Sequence, residues 1–206
     1  YKPVKEQLKL LINDVYNDLK NELPFEYKFV GSAKRGMITR DPTTNTGYDF
    51  DLNIHFLVNF SKYSAKELKL KFMNSLNKFV GKYDYDYCED STRVVTIKNK
   101  DIDHSKIRHS ADFCIVRYLN EGYRIKIIRY NKTQNRYHWV KLRSYPQVLV
   151  QKSEALREGG YWNVVKNVYL RKKNKNLDPH VKSRSIYSMT IHEVYNCRHK
   201  FNRNDY

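Results

Sequence analysis

A chain of 206 residues in which 39 lysines and arginines face 22 acids carries a net charge of +17, and 40% of its residues are hydrophobic. That apolar content supports a core and excludes a disordered tail; only 7 glycines exclude a collagen-like or low-complexity chain; and no run approaches the roughly 18 apolar residues of a membrane span. The charge points to a polyanionic partner: nucleotide phosphates, nucleic acid or an anionic surface.

Leu8, Leu11, Ile12, Val15 and Leu19 recur at helical spacing and predict a first helix over 4–23, stopped by Pro24. Residues 26–30 read as a short strand running into Gly31-Ser32. Residues 33–47 read as a polar loop with Lys34, Arg35 and Arg40 and the turn-rich Asp41-Pro42-Thr43-Thr44-Asn45. Over 48–58, Tyr48, Phe50, Leu52 and Ile54 alternate with Asp49, Asp51, Asn53 and His55, the pattern of a half-buried strand. A basic amphipathic helix follows over 65–80, then a strand over 93–98. Residues 111–119 and 123–130 read as a hairpin closed by Asn120-Glu121-Gly122, and 131–143 as a polar stretch. The last part is helical: 146–157, then 161–173 after the break at Gly159-Gly160, then 185–197.

The expected fold class is α+β, a mixed β-sheet flanked by helices, with a core over 1–145 and a helical C-terminal region over 146–206. Cys88, Cys114 and Cys197 are far apart and form no Cys-x-x-Cys, so neither a disulfide framework nor a zinc knuckle is expected, and a reducing, cytoplasmic setting is. The N-terminal stretch lacks the apolar run of a signal peptide. It also starts without methionine, so the chain reads as trimmed from a longer one.

The chemistry concentrates in Phe29-Val30-Gly31-Ser32 followed by Gly47-Tyr48-Asp49-Phe50-Asp51-Leu52. Side chains at i and i+2 on a strand share a face, so Asp49 and Asp51 project together while Phe50 and Leu52 face the core. Two clustered carboxylates repel unless a cation lies between them, and oxygen-only ligands suit Mg²⁺ or Mn²⁺. Gly31 allows a phosphate close to the backbone, and the Ser32 hydroxyl and nearby N–H groups can donate to it. Asp112 is the candidate third carboxylate of a two-ion site, because it opens the apolar run Phe113-Cys114-Ile115-Val116, where a bare charge is costly.

Other acidic pairs, Asp84/Asp86 and Asp101/Asp103, follow no Gly-Ser. His104 and His109 precede Asp112 without the spacing of a ligand set. Tyr83, Tyr85 and Tyr87 read as the aromatic surface of a strand or edge, and Trp139 and Trp162 as core or cleft-wall residues.

Gly31-Ser32 with Asp49-Phe50-Asp51 resembles the signature of the DNA polymerase β-like nucleotidyltransferases. Within that superfamily, Gly31-Ser32-Ala33-Lys34-Arg35-Gly36-Met37 is similar to the oligoadenylate synthase and cyclic GMP-AMP synthase branch and its bacterial relatives. Trp162-Asn163-Val164-Val165-Lys166-Asn167-Val168-Tyr169-Leu170 resembles the helix whose lysine reaches the triphosphate. Ser188-Met189-Thr190-Ile191-His192 resembles the segment whose serine contacts phosphate and whose next residue, a tyrosine, stacks on the base; here that position is Met189, with Tyr187 as the neighbouring substitute.

The resemblance implies a nucleotidyltransferase-type sheet and an enzyme in which Asp49, Asp51 and Asp112 hold two Mg²⁺ or Mn²⁺ ions. It implies that Gly31, Ser32, Lys166 and Ser188 bind the nucleoside triphosphate, with Arg35 and Arg40 as further phosphate clamps. The resemblance further implies that Asp112 accepts the proton of the attacking hydroxyl, that pyrophosphate leaves, and that the product is an oligonucleotide or cyclic nucleotide signal, as in antiviral defence. RNA or DNA is the expected activator or acceptor, and no membrane partner is expected. Transfer of a nucleotide onto tRNA, protein or an antibiotic is the alternative, and a non-catalytic nucleic-acid-binding domain is the third. Three carboxylates in a basic groove argue against that last reading, because they repel phosphate.

Overall fold

The computed structural model describes residues 1–38, 47–101, 103, 106–119, 124–142, 146–178 and 180–201. It divides into two compact units, Tyr1–Leu142 and Arg143–Tyr206. Among the described residues no helix is long and apolar enough to cross a membrane.

The first unit opens with α1 (Lys2–Leu19), β1 (Phe25–Val30), the short α2 (Gly31–Arg35), β2 (Tyr48–Phe56) and α3 (Ala65–Phe79). A 3-10 turn at Val80–Tyr83 leads to β3 (Glu89–Asp90), β4 (Val95–Asp101), β5 (Lys106–Leu119), β6 (Arg124–Asn131) and β7 (Arg136–Lys141). The strands form one mixed sheet in the order β1-β2-β5-β4-β3, with β6 and then β7 added along the far half of β5. β2 and β5 are parallel and the other pairs antiparallel. A parallel pair needs a long crossover, and here it contains α3.

Ser64 caps α3 by accepting from the Glu67 N–H at 3.1 Å, and the Glu67 carboxylate accepts from the Ser64 N–H at 2.7 Å. This reciprocal capping box starts the helix at Ala65. Leu68, Phe72 and Leu76 then fall on one buried stripe. Phe72 is ringed by Phe25, Phe56 and Phe113 at centroid distances of 6.0, 6.3 and 5.6 Å. Each such buried side chain contributes roughly 1.5–3 kcal/mol. Leu8, Leu11, Ile12 and Val15 of α1 complete the core with Phe50, Leu52, Ile54 and Phe56 of β2. That leaves Asp49, Asp51, Asn53 and His55 on the opposite face of β2.

Several expectations are corrected. The loop over 33–47 begins as helix α2, ended by Gly36 in the left-handed region, with Met37 buried behind it. β5 begins at Lys106, so Asp112 lies in the interior of a 14-residue strand and does not open it. The stretch 131–143 contains β7, whose Tyr137 and Trp139 alternate with Arg136 and His138. Residues 84–88 form no strand: Asp84 is left-handed at φ 60°, Tyr83 and Tyr85 are buried, and Tyr87 is exposed. The Asn120-Glu121-Gly122 turn, Arg40 and His104 lie outside the described residues.

The second unit holds α4 (Gln147–Glu158), α5 (Trp162–Lys175), α6 (Ser183–Asn196) and a 3-10 turn at Arg198–Lys200. Leu149 and Leu156 of α4, Val164, Val165, Val168 and Tyr169 of α5, and Ile186, Tyr187, Ile191 and Val194 of α6 are buried.

His109 of β5 is buried against two tyrosines of the first unit. Its Nε2 lies 2.9 Å from the Tyr85 hydroxyl, and its ring stacks on Tyr48 at 5.7 Å. Burial, helped by the positive charges of Arg108 and the N-terminus, pushes its pKa from the ordinary 6.5 down to about 4. The unfolded imidazole therefore binds a proton across a pH window in which the folded one refuses it. Stability is whole above pH 6.5 and falls as pH drops from there to about 4, by about 3 kcal/mol from this group. Unfolding midpoints of wild type and His109→Gln across that window check this: the variant should show the flatter profile, and parallel profiles would refute it.

Candidate active site

The parallel register of β2 and β5 sets Asp51 opposite Asp112 and Asp49 opposite Ser110. Residues so paired lie on strands about 4.8 Å apart, so alternation within each strand puts all three carboxylates on one face of the sheet. β4 continues that face, with Thr96 opposite Asp112 and Lys98 opposite Ser110. Asp49 is exposed at the end of β2, while Asp51 and Asp112 are half-buried.

Each flanking carboxylate has a hydroxyl partner on the neighbouring strand. Ser110 Oγ donates to Asp49 Oδ1 in a short hydrogen bond. Thr96 Oγ1 donates to Asp112 Oδ1 at 2.6 Å. Burial raises the pKa of Asp112 above the usual carboxylate value; the Thr96 hydrogen bond opposes the rise, and the negative charge of Asp49 adds to it.

Two glycines shape this end of the sheet. Gly31 has a φ of +60°, and a Cβ placed on it would lie 2.1 Å from Asp51 Oδ2. The Asp51 carboxylate therefore occupies the space that any larger residue at 31 would fill. At Gly47 a Cβ would lie 2.1 Å from the Arg108 carbonyl oxygen, so glycine lets β2 start hard against the backbone of β5. Ser32, half-buried, follows Gly31 in the first turn of α2.

These oxygen-only donors fit a hard divalent cation. Among the described residues, no three His, Cys, Asp or Glu side chains stand close enough together to enclose an ion.

The remaining expected residues lie on α2 and on the helices of the second unit. Arg35 ends α2, half-buried. Lys166 is half-buried on α5 and Ser188 half-buried on α6, both in the second unit. Tyr187 is corrected as a base-stacking substitute: it is buried, its hydroxyl lies 3.1 Å from Ser153 Oγ, and its ring meets the edge of Tyr169. Met189 is exposed. His109 belongs to the core. Trp139 packs edge-on against Phe60, and Trp162 lies under the Arg157 guanidinium. Thr96 and Ser110 went unnoticed in the sequence, where they read as ordinary strand residues.

No protein-family model and no curated protein matches the sequence. Solved structures do. Vibrio cholerae DncV in its GTP-bound form is 13% identical with a TM-score of 0.59, over 89% of this chain and 47% of that one. A STING-associated CdnE c-di-GMP synthase from Capnocytophaga granulosa is 18% identical with a TM-score of 0.56, over 98% and 61%. A CdnE cyclic dinucleotide synthase from Elizabethkingia meningoseptica, solved with GTP and Apcpp, is 14% identical with a TM-score of 0.53, over 97% and 72%. The chain thus spans about half the length of the DncV structure it matches. It has the nucleotidyltransferase-like fold of these bacterial cyclic dinucleotide synthases.

Proposed function

We propose that the protein is a nucleotidyltransferase that uses nucleoside triphosphates and makes a cyclic dinucleotide or short oligonucleotide. One observation carries this reading: Asp49, Asp51 and Asp112 share a face on the adjacent strands β2 and β5, with the Gly31 backbone pressed against Asp51. The fold shared with synthases solved with GTP, Apcpp or a linear intermediate supports it.

In the proposed reaction a hydroxyl oxygen attacks the α-phosphorus of the triphosphate. A new P–O bond forms, the bond between the α-phosphorus and its bridging oxygen breaks, and pyrophosphate leaves with that electron pair. Asp112 takes the hydroxyl proton, and its burial raises its pKa above the usual carboxylate value. Gly31 and Ser32 hold the phosphate tail through backbone N–H groups and a hydroxyl. Asp49, Asp51 and Asp112 would hold Mg²⁺ or Mn²⁺, which when bound supplies Lewis acidity and neutralises charge on the leaving group. The triphosphate contacts of Lys166 and Ser188 rest on sequence resemblance alone.

The test is incubation with labelled nucleoside triphosphates and Mg²⁺ or Mn²⁺, with and without RNA or DNA, followed by chromatography. The expected result is pyrophosphate together with a small soluble nucleotide product. Label on a macromolecule would shift the acceptor to RNA or protein. No release from any of the common nucleotides under any condition would overturn the reading.

A further inference from the structure

A chain of polar contacts runs from the buried side of the first unit to Asp112. Lys69 of α3 is only 1% exposed, and among the described residues it is the one fully buried lysine. Its Nζ donates to the Ser91 carbonyl oxygen at 2.6 Å and meets Asp90 Oδ1 at 2.6 Å. The Ser91 N–H is bonded to the Glu89 and Val94 carbonyls, both at 3.1 Å, so this turn is pinned at both ends. Ser91 Oγ lies 3.3 Å from Thr96 Oγ1, and Thr96 Oγ1 lies 2.6 Å from Asp112 Oδ1.

The direction of the chain follows from the proton count. A threonine hydroxyl has one proton, and a carboxylate can only accept. The Thr96 proton therefore points at Asp112, and Ser91 donates to the Thr96 lone pair. Thr96 is buried, which keeps its hydroxyl on these protein partners.

We propose that Thr96 is the positioning residue for Asp112, its hydroxyl directed by Ser91 Oγ on a turn that the buried Lys69 anchors at the Ser91 carbonyl. It fixes Oδ1 and leaves Oδ2 as the oxygen that would meet a divalent ion and the attacking hydroxyl. The proposal rests on the nucleotidyltransferase reading, and it adds to that reading a device on β3 and β4 for orienting the third carboxylate. Groups that hold a ligating carboxylate in this way are typically worth 10–100-fold in metal affinity or activity.

The test compares wild type, Thr96→Val, Thr96→Ser and Ser91→Ala. Valine keeps the shape and strand preference of threonine and removes only the hydroxyl. Three readouts are taken: kcat for pyrophosphate release, affinity of the protein for Mn²⁺ alone by titration, and the melting temperature. Thr96→Val should lose about 10–100-fold in kcat and about 10-fold in Mn²⁺ affinity, with its melting temperature close to wild type. Thr96→Ser should recover most of both, and Ser91→Ala should fall between. Thr96→Val matching wild type in both kcat and Mn²⁺ affinity would overturn the proposal alone. So would Thr96→Ser failing as badly as valine, since packing and not the hydroxyl would then matter. A wild type that neither turns over nor binds Mn²⁺ would overturn the functional reading and the relay with it.

Discussion

For the proposed nucleotidyl transfer, Gly31→Ala is expected to lower pyrophosphate release by at least about 100-fold in a protein that still folds. Two effects act together. Gly31 sits at φ +60°, where a residue with a Cβ costs roughly 1–2 kcal/mol. The new Cβ would also lie 2.1 Å from Asp51 Oδ2 and 3.0 Å from its Cγ. A carbon and an oxygen need well over 3 Å, so the carboxylate must move by about 1 Å or more, and a displacement of that size costs on the order of 100-fold in rate. The strain is a small part of a domain's stability of roughly 5–15 kcal/mol, so circular dichroism should match wild type with a modestly lower melting temperature. Asp49→Asn is the companion: it keeps the shape and an oxygen for the Ser110 hydroxyl while removing the charge, and its turnover should drop to background. Gly31→Ala with a third or more of wild-type kcat would show that Asp51 needs no cradle. Asp49→Asn with substantial activity would sink the assignment of the carboxylate face.

How far this site could be read beforehand depends on which interactions are local. The alternation from Tyr48 to His55 is a local signal, and it correctly separates Asp49 and Asp51 from Phe50, Leu52 and Ile54. The helices of the second unit are equally legible, because a 3.6-residue period shows without any knowledge of neighbours. Strand partners are another matter. The register that puts Asp51 beside Asp112 joins residues 61 apart in the chain, and periodicity within one strand says nothing about which strand it meets. The start of β5 at Lys106 is hidden in the sequence because Lys106, Arg108 and Ser110 interrupt the apolar pattern, and β7 is hidden because its aromatics alternate with Arg136 and His138. Thr96 and Ser110 become meaningful only through that cross-strand pairing. Lys69 follows Glu67 and Leu68 in a basic helix and reads there as a solvated lysine. It is buried because the β3–β4 turn and β7 close over it.

That burial makes Lys69→Met the substitution with the largest expected effect on stability. The Lys69 side chain is 2% exposed and that of Asp90 is 19%. Their 2.6 Å contact is electrostatic, for Asp90 Oδ1 makes no directed hydrogen bond. Asp90 Oδ2 accepts from the Tyr137 hydroxyl at 2.5 Å, and the Lys69 ammonium lies 5.9 Å from the ring centres of both Tyr130 and Tyr137. Those rings stack on each other at 4.3 Å, so the cation joins α3 to β3, β6 and β7 at once. Methionine fills much of the same volume. It leaves the Asp90 charge uncompensated and the Ser91 carbonyl without its donor. Removing one partner of a buried pair costs about 3–5 kcal/mol, which for a chain of this size lowers the melting temperature by on the order of 10 °C. Lys69→Met combined with Asp90→Leu should recover a large part of the loss, because it removes the stranded charge together with its partner. Denaturant titration of the two variants decides the matter. A single variant within about 1 kcal/mol of wild type would mean that Lys69 behaves as a surface charge. A double variant no better than the single would place the cost in lost packing and not in the stranded carboxylate.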